Sequence, residues 1–459
     1  MSGANSEIND LKVQGPVLAA GADGYDDERS GYQLMDPHAP AVIVGAAGED
    51  DVREAVRHAA ARGLRVAVQA GGHGLGAGLD GGVLISTRRM AGVRVDPAAR
   101  TAWVEAGAPW QRVIEAAAEH GLAPLSGSSP GVGAVSYTLG GGVGLLARRY
   151  GFAADHVRRI DVVTADGRTR RVTAEDPGGS DDADLFWALR GGGGNFGVVT
   201  GMEIDLVPVR EVYGGGLYFA VDEVPGVLDA WRRWTETAPE EMTAALAMLP
   251  FPDLPMVPEP LRGRHVVQFQ LAYSGPEDEG RDLAAPLRAL GAPLIDRLRT
   301  VPYTESATVF DEPDRPHAYR STNRLVDGLD PRALEAAPKL AGPDAPAMCV
   351  FQIRHLGGAL ARPPRVPNAV GNRGAAYSVN VLSPVEPGEE AMVRDLHRDV
   401  TAPFAGRTVG RSFNFSFGPL DEDGVREMYE PGDYARLTGL KARYDPDGLF
   451  HANHPIPAR

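Results

Sequence analysis

Between residues 41 and 86 the apolar positions switch repeatedly between two periods. Ala41-Val42-Ile43-Val44 is a short apolar run and reads as a strand. From Glu49 to Arg62 the apolar residues Val52, Ala55, Val56 and Ala59 recur at helical spacing, and Gly63 follows as a C-cap. Residues 64–68 and 82–86 are β-rich runs, separated by the glycine-rich stretch 71–78. Two more glycine blocks lie at 127–144 and 191–197, the last leading into a predicted strand over 196–202. The glycine-loop pattern stops near Val207-Pro208. From about 210 to 408 the pattern predicts helices, over 224–237 and 280–290 for example, between alternating runs such as 266–271 and 376–381. That is the look of an antiparallel sheet backed by helices. No tandem repeat is visible.

The length of 459 residues exceeds one ordinary core and predicts two domains. With 43% hydrophobic and 23% charged residues, the chain is of the globular class. A net charge of −15 repels phosphate backbones and argues against a nucleic-acid partner. Lysine occurs only at Lys12, Lys339 and Lys441, never in a Gly-Lys-Ser/Thr pattern, which excludes a P-loop. The single cysteine, Cys349, permits neither an intramolecular disulfide nor a thiolate zinc cluster, and its apolar neighbours mark it as a small buried residue. The eleven histidines are scattered without a His-Glu-x-x-His motif, so no metal is expected, and His451 and His454 read as tail residues. The N-terminus lacks the basic and apolar regions of a secretory signal, and no apolar stretch nears the ~20 residues that span a bilayer. The cytoplasm is the default location.

Gly74-x-Gly76-x-Gly78 resembles a dinucleotide fingerprint, but a turn and a strand follow it where that motif requires a helix. Glycine loops have another use. Without Cβ the backbone can approach a ligand closely, and successive N–H groups form a nest for an anion such as pyrophosphate, without lysine. Three such blocks in one half favour a large anionic cofactor over simple turns. His73, inside the first block, is either a turn histidine bonded to local backbone or an imidazole held against that cofactor.

Val66-Ala67-Val68-Gln69-Ala70-Gly71-Gly72-His73-Gly74 resembles the flavin-attachment loop of the FAD-linked oxidases related to vanillyl-alcohol oxidase and berberine bridge enzyme. Leu139 to Val157, then Asp161-Val162-Val163-Thr164-Ala165-Asp166-Gly167, is similar to the family's second FAD loop. Asp184 to Arg190, running into the third glycine block, is a further match. Asn414-Phe415, Tyr444-Asp445-Pro446-x-x-x-Phe450 and Asn453-x-x-Ile456-Pro457 resemble its C-terminal signature. The matches are ordered along nearly the whole chain.

The resemblance implies a bilobed α+β fold. A PCMH-type FAD-binding domain is expected over 1–208, with 409–459 returning to it. An antiparallel-sheet substrate domain over 209–408 would roof the flavin. The implied cofactor is FAD, linked through its 8α-methyl to His73. The first loop would contribute Ala70, Gly71, Gly72, Gly74 and Leu75 to the flavin site; the second block, Ser129, Val132, Gly133, Gly141, Gly142 and Gly144. Ala154, Asp155 and Val157 would follow, then Gly194, Gly197 and Val199, with Asn453 from the tail.

The departures are informative. Many members carry a second flavin bond from a cysteine in Cys-Pro-x-Val-Gly; here Ser129 stands in that place, so a single link is expected. Val132 occupies the position of the oxygen gate and resembles the oxidase members. The family's Tyr-x-Asn-Phe is Ser412-Phe413-Asn414-Phe415, and a serine cannot serve as the base. Its Phe-Pro-His-Arg is Val370-Gly371-Asn372-Arg373. Tyr377, on a strand expected to face the flavin, is a replacement candidate. Gln352 and Arg354, two apart on another strand, share a face and are candidates to bond a substrate oxygen. Asn414 completes the catalytic candidates.

A substrate that ionises easily needs less help from a base. The expectation is therefore oxidation of an aromatic, phenolic or polyketide-like small molecule, with O₂ as the second substrate and H₂O₂ as product. Carbohydrate or alcohol oxidation on the same fold is the alternative, as is a resistance protein that sequesters a drug over the flavin with little turnover.

Overall fold

The computed structural model describes residues 10–175 and 182–459; residues 1–9, part of the stretch read for a secretory signal, lie outside them. Among the described residues no helix is long and apolar enough to cross a membrane.

Three sheets organise the chain. In the first, strands Val17–Ala19, Val42–Gly45, Val83–Ser86 and Val66–Gln69 lie side by side in that order, the last three mutually parallel. The helix Glu49–Arg62 forms as its periodicity predicts and stops at Gly63, whose φ of 63° is left-handed and whose N–H caps Ala59 and Ala60. Its apolar face, Val52, Ala55, Val56 and Ala59, packs with Val42, Val44, Val83 and Ile85 on one side and Val163 and Val198 on the other. The helix thus joins the first sheet to a second, five-stranded antiparallel one running from Val93–Asp96 to Thr169–Thr173. No helix follows the first glycine loop: the chain turns into Val83–Ser86, as the argument against a dinucleotide fold required.

The third sheet has nine strands, all antiparallel, from Glu211–Ala220 to Thr408–Gly410. This is a mixed α+β fold with a large antiparallel sheet. Strand alternation gives that sheet two unlike faces. Phe269, Leu246, Ile353 and Val379 sit opposite one another across four neighbouring strands and are fully buried. They pack in one core with residues of the helices Val227–Thr235, Glu277–Arg288, Pro331–Leu340 and Glu390–Thr401. The helix expected over 224–237 starts later because Gly226 is left-handed, with φ 74°. Cys349 lies in this core, fully buried, its thiol pushed up to about 12 by burial.

On the opposite face a polar row crosses five strands: Gln268, Ala247, Gln352, Asn380 and Asn323 are successive partners. The next row contains Gln270, Ala245, Arg354 and Ser378. Ala245 clusters with Phe310 and with Leu145, which follows the second glycine block. The polar face is therefore the one turned toward the glycine loops.

Candidate active site

The first glycine loop is held open from several sides. Residues 31–34 lie between it and the large sheet. Tyr32 and Gln33 donate their N–H groups to the carbonyls of Gly71 and Gly72, while the N–H of His317 reaches Tyr32 and that of Leu34 reaches His317. The Gln33 amide closes the seam, donating to the Tyr319 carbonyl at 2.7 Å and accepting from the Tyr319 N–H. This strap requires glycine at position 72, which has φ 69° and whose Cβ would lie 2.6 Å from the Gly31 Cα.

From Gly71 to Leu75, five consecutive backbone N–H groups donate no hydrogen bond among the described residues. Such a run, turning through the left-handed Gly72, leaves donors available to an anion. Gly76 is then latched by the tail, its N–H donating to Asn453 Oδ1 at 3.2 Å. The tail itself is paired to Val66 through Leu449 and His451.

His73 sits in this loop. Its ring stacks on Tyr32, centroids 4.0 Å apart and planes 9° from parallel. Its carbonyl accepts the Tyr319 hydroxyl at 2.7 Å. Burial, with a smaller push from His317, lowers its pKa to about 4, so the imidazole is neutral. Its Nδ1 is buried with no partner. A Cβ on residue 71 would come 3.2 Å from that nitrogen, so glycine there keeps it open. The second block comes alongside: the Cβ positions of Gly131 and Gly133 point at His73 Cε1 (3.7 Å) and Ala70 Cβ (3.3 Å). Ser129 and Val132 belong to this same turn, with the Val132 N–H toward the Ser129 carbonyl and the Trp110 N–H on the Val132 carbonyl. A donor-lined glycine cradle beside a neutral imidazole with a free nitrogen fits FAD: the unbonded amides suit its pyrophosphate, and His73 Nδ1 suits a bond to its ring methyl.

Other expected cofactor positions are used by the protein itself. Asn414 Oδ1 accepts the Gly142 N–H at 2.8 Å and its Nδ2 donates to the Tyr137 carbonyl at 2.9 Å. Asn414 is thus a bracket between the C-terminal segment and the second block. The Gly141 and Gly142 carbonyls accept the N–H groups of Ala154 and Ala153, and a Cβ at Gly144 would overlap the Ser126 carbonyl. The Asp155 carboxylate is taken by Arg373 (2.6 and 3.2 Å), by Asn368 and by the Phe152 N–H. Ala154, Val157 and Val199 are buried, and Gly197 packs on Val162 and Val163. Gly194 faces open space. His451 and His454 hold the tail in place, and among the described residues no cluster of three metal-ligating side chains occurs.

Across from the cradle, Gln352 and Arg354 are on the polar face, as their spacing predicted. Tyr377 is not. It shares its parity with Val379 and Val381 and points into the helix-backed core, where its hydroxyl bonds Thr235 at 2.7 Å and its ring stacks on His355. It cannot replace the missing base. Where the family's tyrosine would stand, Ser412 instead lines a small cleft of about 40 Å³, together with Gly140, Gly191, Val370, Asn372 and Phe413.

Sequence reasoning missed Tyr32, Tyr319, Ser128 and Glu312. Ser128 donates to Glu312 at 2.8 Å, and Arg354 reaches both from below at 3.5 Å. Gln268 and Gln270 were also missed, although the alternation in 266–271 places both on one face.

A glycine loop with unbonded amides, an imidazole at its rim and a polar sheet facing both fit a flavin-dependent redox protein. Residues 40–173 match the FAD binding domain family, and residues 413–457 the family described as berberine and berberine like. The (R)-6-hydroxynicotine oxidase of Paenarthrobacter nicotinovorans is 28% identical, covering 97% of each chain. A chitooligosaccharide oxidase of Gibberella zeae is 25% identical, covering 97% of this chain and 92% of that one. The crystal structure of 6-hydroxy-D-nicotine oxidase from Arthrobacter nicotinovorans superposes with a TM-score of 0.84 at 25% identity, covering 98% of this chain and 99% of that one. The chain belongs to the FAD-linked oxidoreductases of the berberine bridge enzyme-like type.

Proposed function

We propose that the protein is an oxidase of small aromatic or phenolic molecules, carrying FAD through a single covalent link to His73. The observation that carries the reading is the state of the two sides of the site. On the cofactor side His73 is neutral, stacked and unpartnered at Nδ1, with Ser129 where a second attachment would need a thiolate. On the substrate side the two tyrosines packed around His73 are not free to act as the base. The Tyr32 and Tyr319 hydroxyls are both spent on backbone carbonyls, and burial raises both phenol pKa values. A substrate must therefore bring an acidic hydroxyl of its own. The hydroxylated heteroaromatic named for one relative is of that kind; the oligosaccharide named for the other is not.

When bound, FAD supplies hydride acceptance and reoxidation by O₂ to H₂O₂. This chain's residues bind its phosphates on the 71–75 amides, fix its ring edge through His73, and present amides and a guanidinium to the substrate. Two measurements test the reading. Acid-precipitated holoprotein should stay yellow, with the flavin mapped to the His73 peptide; free FAD in the supernatant would refute the link. Without oxygen, hydroquinones should bleach the flavin faster than oligosaccharides, and readmitted air should yield peroxide. Faster bleaching by sugars would favour the carbohydrate alternative; a tightly held ligand that never bleaches the flavin would favour sequestration.

A further inference from the structure

Arg354 is an incompletely neutralised cation inside the site. It is only 6% exposed, with its Cζ 4.6 Å from the centroids of both the Phe310 and Phe415 rings. Its Nε donates to Gln352 Oε1 at 2.9 Å. Its Nη2 has only long contacts, 3.5 Å to Ser128 Oγ and 3.5 Å to Glu312 Oε1. Its Nη1 donates nothing among the described residues. A charge-assisted N–H···O⁻ bond is normally ~2.7–2.9 Å long, so Glu312 is not a close counterion. That glutamate is also shared with Ser128, and its side chain is 34% exposed. Burial depresses the Arg354 pKa, while Glu312 pulls the other way. Nearby, Gln270 Oε1 is buried without a partner. A guanidinium whose carboxylate contact is this long, and whose Nη1 donates to no described residue, keeps room for a closer anion.

The location makes that anion part of a ligand. Ser128, the residue Arg354 touches, adjoins Ser129 in the turn that flanks His73. The two aromatic rings give the guanidinium flat apolar walls, suited to a planar molecule.

The geometry points to an anion subsite on the Nη1 side of Arg354, which selects substrates bearing a carboxylate on an aromatic or similarly planar frame. This deepens the proposed oxidation of phenolic molecules and rests on it for the reaction, though not for the binding. The substrate class becomes hydroxylated aromatic acids, and Arg354 becomes a specificity-determining residue rather than a catalytic one.

The test uses holoprotein and two isosteric probes, benzoate and benzamide, titrated by flavin difference absorption and separately by thermal shift. Benzoate should bind at least about tenfold tighter than benzamide, the discrimination expected of a charged hydrogen bond over a neutral one. R354Q should abolish the preference, and R354K should keep part of it, since lysine retains the charge without the planar fork. Equal binding of the two probes to the unaltered protein, or a preference that survives R354Q, would overturn the subsite. The wild-type comparison decides alone if R354Q does not fold. Failure of hydroquinones to bleach the flavin would sink the oxidation reading and leave the probe result standing, so the two ideas fail separately.

Discussion

Asp445 closes the C-terminal segment over the flavin loop, and removing its carboxylate should be among the most damaging single changes away from the site. The side chain is fully buried and does three things at once. It accepts the N–H groups of Leu449 (2.7 Å) and Phe450 (3.1 Å), and it pairs with Lys441, itself 5% exposed. Lys441 also donates to the Asn195 carbonyl at 2.8 Å, at the third glycine block. In Asp445→Ala the ammonium keeps one carbonyl and two backbone donors lose their acceptor. Breaking one partner of a buried pair costs about 3–5 kcal/mol; the lost N–H bonds belong to the same network and are not added separately. At roughly 2 °C per kcal/mol for a large domain, the thermal midpoint should fall by about 6–10 °C. Asp445→Asn, which keeps an acceptor, should fall less. Combining Asp445→Ala with Lys441→Met should recover part of the loss, because no charge is then stranded. Differential scanning fluorimetry of the three variants checks this. A drop below about 2 °C in Asp445→Ala, or a double variant worse than the single, would falsify the view of the pair as one buried electrostatic unit.

Tyr32→Ala should lower the fraction of flavin retained after acid precipitation, whereas Tyr32→Phe, which keeps the stacked ring and loses only the hydroxyl bond to the Pro313 carbonyl, should stay near wild type; the stack is worth about 0.5–1.5 kcal/mol, and equal loss in both variants would deny the ring its positioning role. Acid should destabilise the fold through buried neutral histidines. Burial lowers His38, His397 and His454 to about 4, while the unfolded chain titrates near 6.5. Between those values the unfolded state binds more protons, so stability falls as pH drops through that window, by up to about 1.4 kcal/mol per pH unit for each group. Thermal midpoints measured from pH 7 to 4.5 should decline, and less steeply in His38→Gln; a flat profile would contradict the assignment.

What the sequence could reveal depended on the range of the interactions involved. The helix Glu49–Arg62 was legible to the residue because a local period and a terminal glycine define it. Gln352 and Arg354 were correctly placed on one face because strand parity is also local. Parity does not say which face meets the cofactor, however, and Tyr377 was assigned to the wrong side. The apolar residues at its own parity, Val379 and Val381, carried the signal that would have turned it. Tyr32 was out of reach, since its partners at 71 and 313 are distant in sequence and it lies outside every recognisable motif. The ion pair of Asp155 was out of reach for the same reason: its partner Arg373 is 218 positions away.

The two unlike faces of the large sheet separate duties between neighbouring residues. In the strand Val350–His355, Phe351 and Ile353 anchor the helices, whereas Gln352 and Arg354 look toward the flavin loops. The same division runs through His265–Tyr273 and Met242–Pro250. Ligand preference and folding are thus encoded in interleaved registers of the same segments. A lineage can rewrite every second letter to meet a new molecule while leaving the letters between, and with them the scaffold, untouched.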